Sequence, residues 1–171
     1  RTGFYGSKVF IFTDDLDVTN RLYFDLSDAE GIRNNRFGFG KRPLAALRSS
    51  LMPDNSQRFA QGQSWLLSER IGHSLGLNTS LMTGRTTSQD MGVDPDCDLV
   101  VATASLEVGY DDAAVGGIIQ HKAPRDMANF IQRKGRAGRP IRMRPWTVVV
   151  LSDYGRDRLI YQSYERLINT Q

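Results

Sequence analysis

The chain has 171 residues, 40% of them hydrophobic and 24% charged, with a formal net charge of +3; this is enough for one domain around a single core and excludes wholesale disorder. No apolar run approaches the roughly 18 residues that read as a membrane span, and the first residues lack a signal-peptide pattern. One cysteine, Cys97, excludes an intramolecular disulfide framework and suits a reducing cytoplasm, and with only His73 and His121 beside it no metal-ligand cluster is visible.

Residues 8–13 (KVFIFT) form a nearly continuous apolar run, the pattern of a strand buried on both faces. Residues 13–30 then carry Asp14, Asp15, Asp17, Asp25, Asp28 and Glu30 against Arg21 alone. Within them Val18, Leu22 and Leu26 recur at four-residue spacing, which predicts a helix capped at Asp15 or Asp17 and ended by Gly31. Residues 32–62 are rich in Gly, Arg, Asn, Ser and Pro without a sustained period and read as an insertion or loop. From Ile32 to Arg48, Arg33, Arg36, Lys41, Arg42 and Arg48 stand without an acid, which fits a solvated charged face and a phosphate contact about equally. A helix is expected over 64–75, where Leu67, Ile71 and Leu75 share a face.

Strands are predicted at 79–83 (TSLMT), 99–103 (LVVAT), 117–120 (GIIQ) and 147–151 (TVVVL). Between the last two, a helix over 126–134 starts just after Pro124 and places Met127, Phe130 and Ile131 on one face. A final helix over 156–169 turns Ile160, Tyr164 and Leu167 or Ile168 inward. Runs of β-branched residues separated by helices give an α/β fold: a parallel sheet of about five or six strands with helices on both faces.

Two segments carry chemistry. In residues 132–139 (QRKGRAGR), Arg136 and Arg139 stand three apart at a helix end, a spacing that lets both guanidinium groups project toward one point. Guanidinium is the group suited to spreading phosphoryl charge, because its planar fork donates to two oxygens together. The alternative is a basic helix end, solvated or stacked on carbonyls. In residues 101–112 (VATASLEVGYDD) a buried strand ends at Thr103, at the carboxyl end of a parallel strand, where ligands of open α/β sheets bind. A hydroxyl and backbone amides there could hold a phosphate, and Asp111 could hold a ribose hydroxyl or orient an arginine. Alone, that second pattern is equally an ordinary strand-to-helix turn.

Taken together, these segments resemble superfamily-two helicases: KVFIFT is similar to motif IV, VATASLEVGYDD to motif V and QRKGRAGR to motif VI, in the order and spacing of the family's second RecA-like lobe. The resemblance is close over most of residues 93–152, loose over 8–26 and slight over 32–62. It implies a RecA-like, P-loop-NTPase-type fold across residues 1–171, interrupted by the insertion at about 32–62. It further implies that Arg136 and Arg139 are arginine fingers for the γ-phosphate, that Gln132 sits near the phosphates and the attacking water, and that Gly109 and Asp111 line a nucleotide site between lobes. Thr13, Thr83, Gly84, Arg85 and Thr103 would meet a nucleic-acid backbone, although the chain departs from the family pattern between Gly84 and Asp98.

The P-loop pattern G-x-x-x-x-G-K-[ST] occurs nowhere; around Gly38-Phe39-Gly40-Lys41, Asn35 stands where the first glycine belongs and Arg42 where Ser or Thr belongs. No DExH-type acidic box follows an apolar strand. The resemblance therefore implies that ATP and its Mg²⁺ are held by a first lobe, in the same parent chain or on a partner, and that this chain alone is inactive. Within the family, a translocase or remodeller of duplex is the alternative to a helicase; outside it, a nucleic-acid-binding scaffold that has lost the motor. Gln132, where DEAD-box RNA helicases carry His, leans slightly toward DNA over RNA, though helicases of the DEAH kind share it. No membrane partner is implied.

Overall fold

The computed structural model describes residues 4–33, 36–37, 80–87, 92–103 and 111–165. The chain divides into two compact units, one of Arg1–Tyr23 with Thr83–Gln171 and one of Phe24–Met82. The expected helix over 64–75 and most of the 32–62 stretch lie outside the described residues.

The first unit is built on β1 (Lys8–Phe12), β4 (Thr83–Thr86), β5 (Leu99–Ala102), β6 (Val115–His121) and β7 (Trp146–Val150). These form one five-stranded sheet in the order β4-β5-β1-β6-β7, every pairing parallel. The expected α/β parallel architecture is thus present. β1 lies at its centre, as its apolar run requires: Phe10, Ile11 and Phe12 are all buried, the two phenylalanines on one face with rings edge to face at 6.1 Å. Phe10 and Phe12 pack with Cys97, Val100, Ala102, Val115 and Ile118 into the core.

Helix α1 (Leu16–Ala29) leaves the end of β1 and crosses the boundary between the units. Asp15, one of the two caps considered, is the residue used: its Oδ1 accepts the backbone N–H groups of Asp17 at 2.8 Å and Val18 at 3.1 Å, satisfying donors that the first turn leaves open. Gly31 follows the helix at φ 82°. In the second unit, β2 (Ile32–Arg33) and β3 (Arg36–Phe37) pair antiparallel. There the fully buried Glu30 accepts Leu81 N at 2.9 Å through Oε2, while its carbonyl accepts Ser80 Oγ at 2.6 Å.

Three expectations need correction. The strand placed at 79–83 begins at Thr83 and runs to Thr86, because register with β5, and not apolar content, defines it. Its neighbour explains Gly84: a Cβ there would stand 2.7 Å from Cys97 Sγ. Second, helix α2 (Met127–Lys134) buries Phe130 and Arg133, whereas Ile131 is exposed. Arg133 is 2% exposed because its guanidinium donates to Asp14 at 2.7 Å and Gln120 Oε1 at 2.8 Å and lies over the Phe12 ring. Third, β7 is the last strand of the sheet and is not buried on both faces: Trp146, Val148 and Val150 alternate outward and are exposed.

The last helix, α3 (Gly155–Gln162), overlaps the expected 156–169 span, of which Leu167 and Ile168 lie outside the described residues; Tyr164 is exposed, and the buried residue is Asp157. Asp157 accepts Ala123 N and Ser152 N, both at 2.9 Å, and Ser152 Oγ at 2.7 Å, joining the loop after β6 to the loop after β7. Burial alone would raise this carboxyl, but the three hydrogen bonds outweigh it and hold the group below 3.8. A depressed folded-state value means the contribution is complete above about pH 4 and is lost as pH falls through that value. Asp157→Ala is expected to cost about 3 kcal/mol at pH 7 and to flatten the acid limb of the stability profile. Urea unfolding of both proteins from pH 7 to pH 2 checks this; identical acid slopes would show that Asp157 carries no such linkage.

Candidate functional site

The chemistry-bearing residues separate onto the two edges of the sheet. At the amino edge, helix α2 runs back from the end of β6 and stops at Lys134, with Gly135 as its C-cap. Residues 135–139 are not helical, so the three-residue spacing of Arg136 and Arg139 does not place them on one helix face, and their approach to a common point has to come from the turn. That turn is specified by Gly138: φ is 79°, and a Cβ would sit 2.5 Å from Pro145 Cγ. Gly138 N donates to Val115 O at 3.0 Å, tying the segment to the first residue of β6.

This tie brings Arg139 beside Asp111, with Nε 3.1 Å from Oδ1. The Asp111 carboxylate is thus engaged by an arginine. Both side chains are about half exposed, and among the described residues the Nη edge of Arg139 makes no hydrogen bond or ion pair. A pair so open to water adds little to stability; what it does is hold the guanidinium at Nε. Arg136 is half-buried in the same turn, its N–H donating to Arg133 O at 3.0 Å, and Gln132 lies exposed on α2 one turn earlier. Gly109 lies outside the described residues.

A second pair steadies the same edge. Lys8, 6% exposed, donates from Nζ to Asp112 Oδ2 at 2.7 Å and to Pro95 O at 3.0 Å. Asp112 Oδ1 in turn accepts Ala114 N at 2.8 Å. A lysine opening an apolar strand was not singled out in the sequence; its burial here demands a carboxylate partner, and Asp112 adjoins Asp111.

Thr103 follows β5 at the carboxyl edge, its N–H on Thr86 O at 3.3 Å. It therefore lies at the opposite end of the strands from Asp111, about 15 Å away along a strand of this length. Thr13 is on the carboxyl edge with Thr103 but is 1% exposed, with its hydroxyl bonded to Asp15 O and Thr19 Oγ1. Thr83 opens β4 at the amino edge, 9% exposed, and Gly84 is packed against Cys97. Arg85 donates to Asn20 Oδ1 at 2.7 Å and covers the Tyr23 ring, which binds it to α1. The structure thus pairs Asp111 with Arg139, sets Thr103 and Thr13 on the far edge, and leaves Thr83, Gly84 and Arg85 along strand β4.

Among the described residues no group of three or more His, Cys, Asp or Glu side chains is placed to hold a metal ion, and no helix is long and apolar enough to cross a membrane. Asp111 and Asp112 are each engaged by a cation.

Residues 56–140 match the family described as "Helicase conserved C-terminal domain". A 42-residue stretch is 52% identical to "Lhr helicase/ probable uracil glycosylase" of Mycolicibacterium smegmatis, covering 25% of this chain and 3% of that protein. The structure of Mycobacterium smegmatis helicase Lhr bound to ssDNA and AMP-PNP aligns over 85% of this chain and 15% of that one, at 19% identity and a TM-score of 0.45. The chain therefore spans a small part of the length of the relatives it matches.

Proposed function

From the premise that this chain carries the conserved C-terminal lobe of a helicase, we propose that it is the second motor lobe of an ATP-dependent nucleic-acid helicase, and that its amino edge completes an ATP site begun on another lobe. The observation that carries this reading is Arg139 held through Nε by Asp111, its Nη donors unengaged among the described residues. Two unoccupied donors in a fixed plane fit the oxygens of a phosphoryl group. In this reading Arg136 and Arg139 meet the γ-phosphate, Gln132 lies near the attacking water, and Gly109 and Asp111 border the nucleotide. ATP would come with Mg²⁺ held by residues of the first lobe, where the metal would supply offsetting charge to the phosphates.

The arginines' part is electrostatic. As charge spreads over the equatorial oxygens, a preoriented guanidinium stabilises it without reorganising. The carboxyl edge, with Thr103, would hold a nucleic-acid backbone, DNA favoured over RNA by Gln132, in a cytoplasmic setting. Closing and opening of the cleft between lobes would alter that hold.

The test is subtraction. The 171-residue chain purified alone is expected to show no ATP turnover with or without single-stranded oligonucleotide, since it lacks the P-loop lysine and magnesium carboxylates. Steady hydrolysis that co-purifies with the chain through every step would sink the two-lobe reading.

A further inference from the structure

The carboxyl edge holds a cleft that the arginine chemistry does not use. It has a volume of about 220 Å³ and lies where β1 and β6 end, two neighbouring strands whose next strands in the sheet, β4 and β7, lie on opposite sides. Crevices beyond the carboxyl ends of strands at such a point are the usual ligand sites of open α/β sheets.

The charges around the cleft are unequal in what they have left to offer. Its three carboxylates are occupied internally: Asp14 by Arg133 and by Arg125 N, Asp15 by the first turn of α1, and Asp157 by Ala123 and Ser152. Arg156 donates to Ala123 O. Burial, with Lys122 beside it, pushes the His121 imidazole below 6.5, so at pH 7 the ring is mainly neutral. That leaves Lys122 and Arg125, both exposed on the cleft wall and neither in an ion pair among the described residues.

Lys122 is also the one non-glycine at positive φ, 68°, among the described residues. Its N–H donates to Val150 O at 2.8 Å, which fixes that conformation at the exit of β6. The left-handed region costs a lysine roughly 1 kcal/mol that glycine or asparagine would largely avoid. A strained position kept by a long cation beside a cleft is the kind of outlier that marks a binding role.

We infer that the cleft between the ends of β1 and β6 binds a phosphate of the nucleic-acid backbone, with Lys122 and Arg125 as its cationic contacts. The inference rests on the helicase reading and extends it, because the strand would pass from Thr103 across the end of β1 to β6.

The experiment uses the full protein that carries this chain and follows anisotropy of a labelled single-stranded oligonucleotide over a salt series. The variants are Lys122→Asn, which suits the left-handed backbone, and the double variant with Arg125→Gln. The double variant is expected to bind about 10-fold more weakly, with a log–log salt slope shallower by about 0.7 per lost phosphate contact, while its melting temperature stays at or above that of the parent. Unchanged affinity and slope overturn this site and leave the helicase reading standing. A parent protein that binds no oligonucleotide at any salt concentration overturns both. Inorganic phosphate supplies the other arm: if it protects the parent against thermal unfolding and not the double variant, while oligonucleotide affinity is equal in the two, the cleft takes free phosphate and the backbone assignment is rejected.

Discussion

Arg133→Met is expected to destabilise the protein by about 3–5 kcal/mol, the range found when one partner of a buried ion pair is removed. Methionine fills much of the same volume, so the loss does not come from a cavity. It comes from Asp14, 16% exposed, which loses a 2.7 Å partner, and from Gln120, fully buried, whose Oε1 loses its donor. The ring of Phe12 also loses the cation above it. For a domain of this size the melting temperature should fall by roughly 10 °C. Adding Asp14→Asn to Arg133→Met should cost less than the sum of the two single changes, because the second change removes a charge already stranded. Denaturant unfolding of the four proteins checks both statements. A loss under about 1 kcal/mol, with additive singles, would mean that water enters and screens the pair as it does at a surface.

That network also shows where sequence reasoning stops. The core strands were legible because parallel strands buried on both faces are apolar without interruption, as in KVFIF and LVVA. Strand β4, TGRT, holds no large apolar residue and is defined by pairing with β5, so its limits could not be read from hydropathy. Helix α2 was placed correctly, yet periodicity turned Ile131 inward where the fold turns Arg133. The signal was available in Gln120 and Asp14: a polar residue within a buried strand and an acid directly after one both require partners, and Arg133 is within reach of both. For the site, residue types and their order pointed to Asp111 and Arg139, but which edge of the sheet each occupies depends on the antiparallel return of α2. No local pattern encodes that. The division between an amino edge bearing arginines and a carboxyl edge bearing Thr103 emerged only with the topology.

Replacing Arg139 or Arg136 with Ala in the complete two-lobed protein is expected to lower kcat for ATP by 10²-fold or more, a barrier increase of about 3 kcal/mol. The Arg139 guanidinium is held at Nε by Asp111 and keeps its remaining donors unengaged among the described residues, an arrangement suited to charge that develops late on a phosphoryl group. Nucleotide affinity should fall far less, because most ground-state contacts belong to the other lobe. Lys at either position should restore little, since an ammonium cannot donate as a fork. Oligonucleotide binding without nucleotide should persist, whereas Thr103→Ala should weaken that binding first. The deciding measurement is kcat for Arg139→Ala, taken with nucleotide affinity and melting temperature on the same preparation. A loss of at least 10²-fold in kcat with affinity and melting temperature near the parent's is the result expected here. Near-normal turnover by a well-folded Arg139→Ala protein would contradict it.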